Sequence, residues 1–229
     1  MRKISRVALP LLGAGALVLG GATAAGATTI ESGGAPFSGT VVGTNLSNVT
    51  LTGVSSLGLI QTTCTTAELQ ASVDSDGTNG SLDAADMPTA GNPDCTNNKG
   101  GTTQIDALNL PYTGGGAVYD SAHTANRDGY IFINSPNPNV DIVATLDLTS
   151  LNRVETCHYG LTGSSQLQIN LYNHNNPNKP VAGNAHSQGR LAGQQVQLVS
   201  GTSGCPSSAS VTATFQIVTA SGADVTIAP

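Results

Sequence analysis

Short runs in which apolar and polar residues alternate one for one recur along this chain, separated by clusters of Gly, Asn, Pro and Ser. That period puts every second side chain on one face of an extended strand. No stretch shows convincing helical periodicity. Gln166–Tyr172 and Leu191–Val199 alternate strictly, and Val211–Val218 with Ala223–Ile227 reads as a terminal hairpin around Ser221-Gly222. Phe37–Thr44 and Val49–Gly53 read as an opening pair turned at Asn45–Asn48. Further strands are expected near Leu69–Val73, Gln104–Leu110, Gly129–Ile133 and Val140–Leu148, although Thr66–Val73 also tolerates a helical turn. The pattern predicts an all-β chain, an antiparallel β-sandwich of about ten to twelve short strands.

Two long polar loops interrupt the pattern, Pro88–Gly101 and Tyr112–Asp128. The second carries Gly114-Gly115-Gly116, whose flexibility would suit an interdomain linker in a two-domain arrangement. The preferred organisation is one sandwich domain over residues 28–229; the alternative is two small β domains, 28–112 and 129–229.

The chain has no Trp, three Phe and five Tyr, so its core must be built from Val, Leu, Ile and Ala. Such a core is thin for its length, and cross-links would strengthen it. Cys64, Cys95, Cys157 and Cys205 allow three pairings, among which the sequence does not choose. Pairing of sequence neighbours, Cys64–Cys95 and Cys157–Cys205, is the expectation, each bridge contributing roughly 3–4 kcal/mol by the chain-entropy model. The absence of any Cys-x-x-Cys spacing disfavours a zinc or redox site.

Oxidised cysteines agree with the N-terminus. Arg2, Lys3 and Arg6 precede the apolar stretches Val7–Leu12 and Ala16–Leu19, and Ala25-Gly26-Ala27 offers small residues for cleavage. Residues 1–27 therefore read as a signal peptide, and the chain as secreted, extracellular or associated with the cell wall. No later apolar run is long enough to span a membrane, so no membrane insertion is expected after cleavage. Outside the leader, the basic residues Lys99, Arg127, Arg153, Lys179 and Arg190 are scattered among fourteen acids. No basic patch exists to hold phosphates, which disfavours nucleic acid as a partner.

Asp74–Asp86 concentrates acids, and Asp74, Asp76, Asn79, Asp83 and Asp86 partly match a calcium loop. With Asn79 at the fifth loop position, Asp74 and Asp76 fall one residue out of register. A hairpin turn using Asp-Gly and Asn-Gly is the preferred reading, with calcium as the one candidate cofactor. Ala185-His186-Ser187-Gln188-Gly189 resembles a nucleophile elbow, but a Pro- and Gly-containing loop precedes it and an alternating strand follows. His123, His158, His174 and His186 lack zinc-type spacing. Tyr112, Tyr119 and Tyr130 surround the Gly-rich segment and suggest a modest stacking platform. Asn45, Asn48 and Asn79 fit the glycosylation pattern and read as turn residues.

Thr63-Cys64 before an alternating strand, Thr156-Cys157-His-Tyr159, and Gly204-Cys205-Pro-Ser-Ser-Ala-Ser-Val-Thr-Ala-Thr-Phe215 carry a resemblance. The chain resembles a group of small exported all-β four-cysteine proteins of high-GC Gram-positive bacteria. The likeness implies a disulfide-linked β fold and brings no activity with it. The functional expectation is a non-enzymatic binding or cell-envelope structural protein, contacting an extracellular protein or wall polymer. Two alternatives stand beside it: a secreted serine hydrolase using Ser187 and His186, and an extracellular protease inhibitor presenting the rigid loop beside Cys205-Pro206.

Overall fold

Seventeen strands and two single-turn 3-10 segments form the regular structure, without an α-helix among the described residues. The structure is a computed structural model that describes residues 27–163 and 166–229. The expected signal peptide lies outside the described residues, except for Ala27.

The chain opens with β1 (Thr29–Ser32), β2 (Ala35–Pro36), β3 (Gly39–Asn45) and β4 (Val49–Ser55). Next come β5 (Gly58–Cys64), β6 (Glu68–Val73), β7 (Gly80–Met87), β8 (Cys95–Asn97) and β9 (Thr102–Leu108). β10 (Tyr112–Tyr119), β11 (Gly129–Ile133), β12 (Asn137–Leu148) and β13 (Arg153–Leu161) lead into the C-terminal part. β14 (Leu167–Tyr172), β15 (Ser187–Gly201), β16 (Ser208–Thr219) and β17 (Thr226–Ala228) complete it. The antiparallel all-β class is as the sequence predicts; the strands outnumber the ten to twelve expected.

Fourteen strands belong to one continuous sheet. Its pairings close a circuit of eight: β3, β6, β7, β10, β11, β14, β15, β16 and back to β3. A second circuit runs through β16, β4, β5, β8, β9, β12, β13 and β15. The long hairpin β15–β16 is common to both. Residues 187–192 pair with 212–217 in the first ring, and 194–197 pair with 208–211 in the second. Gly193, with φ at +69°, sits at the register shift between them, where a bulge bends the ribbon from one ring into the other.

The neighbouring chain makes the same step. β3 and β4 both lie on the β16 edge opposite β15, at Phe215–Thr219 and Ser210–Thr212. Asn45–Asn48 is thus a sideways jog rather than the predicted hairpin turn. The Leu46 amide donates to the Thr214 carbonyl, and the Thr214 amide to the Ser47 hydroxyl, so the ladder hardly breaks. Asn45 stabilises the jog by donating to the Ser47 and Thr65 carbonyls and accepting from the Ala67 amide.

The predicted C-terminal hairpin is also corrected. Val218 and Asp224 make one bridge, after which β17 leaves to pair with β1. β1, β2 and β17 form a separate three-stranded sheet. It buries Ile30, Val225 and Ile227 against Val41, Ala117 and Ile217 of the first ring. Thr29–Pro36 and Thr226–Ala228 thereby form a lid on the first ring, and the apolar surface it removes from water stabilises it. The Asn173 side chain clamps that lid, donating to the Ile227 carbonyl and accepting from its amide, each at 2.9 Å.

The glycine-rich stretch is not a linker. Residues 112–119 are β10, inserted between β7 and β11. Gly80 and Gly116 come so close that a Cβ on Gly80 would stand 2.5 Å from the Gly116 nitrogen. Glycine here permits the backbone approach that closes the first ring. The acid-rich segment after Asn79 is likewise a strand, β7, whose register slips at Asp83.

Both expected disulfides are present: Cys64–Cys95 joins β5 to β8, and Cys157–Cys205 joins β13 to the β15–β16 turn. They indicate an oxidising environment, and no helix among the described residues is long and apolar enough to cross a membrane. Leu146, Leu148, Tyr159 and Val196 belong to the core cluster of the second ring. Burial pushes the Tyr159 phenol up to about 12, so it stays protonated and donates to the Pro206 carbonyl.

Candidate functional site

A cavity of about 160 Å³ lies along the inner wall of the first ring and reaches Ala107, Ile142, Val196 and Val211 of the second. β3 contributes Val41 to the wall, β6 Leu69 and Ala71, β7 Leu82 and Met87, and β10 Ala117. Ile131 of β11, Ile169 of β14, Leu191 of β15 and Phe215 of β16 complete the circuit. The lid closes one end with Ile30, Val225 and Ile227. No charged side chain lines the cavity among the described residues. An apolar cavity of about 150 Å³ suffices to hold benzene, whereas common ligand pockets span about 300–1,000 Å³.

Ser187 lies on this wall. It is only 5% exposed, and its hydroxyl has no hydrogen-bond partner among the described residues. Strand alternation explains its direction: Ser187 and Leu191 face the cavity, while Gln188 between them faces away. Gln188 is fully buried beneath the loop before β15, accepting from the Val181 amide at 2.9 Å and donating to its carbonyl at 2.8 Å. Gln188→Ala would strand both backbone groups. We expect it to cost about 1–3 kcal/mol and to speed amide exchange at Val181, as hydrogen-exchange mass spectrometry would show.

No hydrogen bond joins the His186 and Ser187 side chains among the described residues. His186 bonds through Nδ1 to the Asp224 carboxylate at 2.8 Å, while the Ser187 hydroxyl is unpaired. His158 pairs with Asp141 at 3.0 Å, His123 Nδ1 meets the Arg127 carbonyl at 3.0 Å, and His174 is exposed. Gly204, Cys205 and Pro206, beside the proposed inhibitory loop, are buried.

Nor do the five calcium candidates converge. Asp74 accepts from the Asn79 side chain at 2.7 Å. Asp76 accepts from the Thr78 amide and hydroxyl; the hydroxyl first, then the amide, holds its carboxyl below the usual range. Asp83 accepts from Ser72 and Ser81. Asp86 is carried along β7 to face Glu68 and Asp106, roughly 20 Å from the turn at about 3.3 Å per strand residue. No group of three or more His, Cys, Asp or Glu among the described residues is placed to hold a metal ion.

The tyrosines also separate. Tyr112 is buried and donates to the Asp141 carbonyl at 2.9 Å. Tyr119 meets the His123 ring edge-on, and Tyr130 lies 4.6 Å beneath the Arg127 guanidinium. Arg127 also donates to Asp120 at 2.7 Å. Burial by itself would raise the Asp120 carboxyl, but the bonds from Arg127 and Thr124 and the guanidinium charge bring it below its ordinary value. That contribution is present at neutral pH and is lost as pH falls through the lowered value.

Sequence reasoning found Ser187 for a different reason and missed the cavity. The signal was the shortage of large aromatics, which leaves a ring of this circumference incompletely filled. No protein family, curated protein or solved structure matches this chain.

Proposed function

We propose that this chain is an exported, non-enzymatic binding protein that holds a small apolar molecule inside its first β ring. The carrying observation is the cavity of about 160 Å³, lined by the ring and the lid and free of charged lining among the described residues. A well-packed domain keeps few voids larger than water, so a cavity of this size supports a ligand site. The disulfides and the expected leader support action outside the cytoplasm, in the medium or at the cell envelope. The non-enzymatic reading is supported by Ser187, whose hydroxyl has no bonded base among the described residues.

The test is a titration of the purified, oxidised protein with toluene. Ligand at ten times its dissociation constant should raise the melting temperature by about 3–6 °C. Unchanged melting and no calorimetric heat up to toluene saturation would remove the proposal's support. Reaction with a fluorophosphonate probe that depends on Ser187 would instead favour the hydrolase reading.

A further inference from the structure

We infer that the cavity takes a small uncharged molecule with a ring-sized apolar body and one hydrogen-bonding group, and that Ser187 recognises that group. The inference rests on the binding reading above and gives it a ligand class.

Size sets the first limit. At about 160 Å³, the space matches a single ring, because an apolar cavity of about 150 Å³ holds benzene. It falls below the range of about 300–1,000 Å³ usual for larger ligands, which disfavours long acyl chains. Charge sets the second. A carboxylate or ammonium would lose its hydration and meet no counter-charge on the wall.

Ser187 sets the third. Among the other polar side chains that border the cavity, Tyr112 bonds the Asp141 carbonyl, Tyr172 the Ala125 carbonyl, and Ser72 and Ser81 bond Asp83, while Thr226 on the lid is only half-buried and open to water. Asn173 is occupied by the lid. The Ser187 hydroxyl is buried and, among the described residues, unpaired. A buried hydroxyl without a partner is unfavourable, and alanine would fill a strand position more cheaply. A hydroxyl both donates and accepts, so it can bind a ligand hydroxyl or carbonyl. Its cross-strand partner is Ile217, which packs with Val225 and Ile227. The polar end of the ligand therefore lies beneath the lid, and its apolar body points toward Leu191 and Phe215.

The experiment compares phenol with toluene, which are nearly equal in shape, and adds benzoate as the charged case. Each is titrated calorimetrically into the native protein, Ser187→Ala and Ser187→Cys. Ser187→Ala should weaken phenol by about fivefold or more, the value of one net hydrogen bond, and leave toluene within about twofold. Ser187→Cys keeps the side-chain shape and should also lose phenol preferentially. Benzoate should not bind at neutral pH. If toluene binds but phenol is equally insensitive to both substitutions, water or nothing satisfies the hydroxyl, and this inference fails while the binding reading survives. If benzoate binds as well as phenol, the uncharged class is wrong. If neither toluene nor phenol binds the native protein, the binding reading falls and this inference with it.

Discussion

Gly80→Ala is expected to cost about 4 kcal/mol or more, placing it among the exceptional single substitutions. A Cβ at this position would stand 2.5 Å from the Gly116 nitrogen and 2.7 Å from both the Gly115 carbonyl carbon and the Gly116 Cα. Carbon atoms prefer separations of about 3.5–4.0 Å. The obstructing atoms are backbone, so no rotamer change relieves the clash. β7 must separate from β10, although their only registered pairs are Leu82–Tyr112 and Gly80–Gly115. Opening that seam also threatens the Ala117 amide bond to the Gly77 carbonyl, which docks the preceding turn. The melting temperature should fall by about 8–16 °C for a chain of this size, and toluene binding should be lost with the ring. Gly183→Ala is the control, because nothing lies within 4 Å of its added Cβ; it should be neutral or slightly stabilising. A Gly80→Ala protein melting within about 2 °C of the native one would show that the seam is not closed by backbone contact.

The same glycines explain what was hidden in the sequence. Strand identity was readable wherever one face was buried and alternation was unbroken, as in Gly129–Ile133 and Leu167–Tyr172. β7 was obscured because the slip at Asp83 puts Leu82, Ala85 and Met87 on the cavity side, a spacing that is not strictly two. β10 was obscured because glycines needed for close approach resemble a linker in composition. Pairing partners were less legible than strands. Asn45–Asn48 contains turn residues, but its hydrogen bonds are to Thr214, far away in sequence, and only tertiary structure reveals the jog. Ser187 attracted notice through a motif that the fold does not use. Its enclosure by eight strands and a lid depends on long-range closure, which no local pattern encodes.

Removing Cys157–Cys205 should destabilise the protein more than removing Cys64–Cys95. Loop length does not decide this. Sequence separations of 48 and 31 residues give chain-entropy contributions of about 4 kcal/mol each, differing by only about 0.4 kcal/mol. The surroundings decide it. Glu155 is 1% exposed, and its carboxylate accepts from the Thr202 hydroxyl and, at 3.1 Å, from the Gly204 amide, with Arg153 paired at 2.7 Å. Thr202 and Gly204 belong to the turn that Cys205 ties to Cys157. A buried carboxylate is tolerable only while its donors stay fixed, since losing them leaves a desolvated charge. Replacing both Cys157 and Cys205 by Ala should therefore remove about 5–7 kcal/mol, the bridge plus one or two charge-assisted hydrogen bonds. Replacing Cys64 and Cys95 by Ala should remove about 4 kcal/mol. Urea unfolding of the two double variants measures the difference. Adding Glu155→Gln should narrow it, because a neutral amide suffers less when the turn loosens. Equal losses for the two bridges, unchanged by Glu155→Gln, would mean that β13 and the turn hold the carboxylate without the bridge.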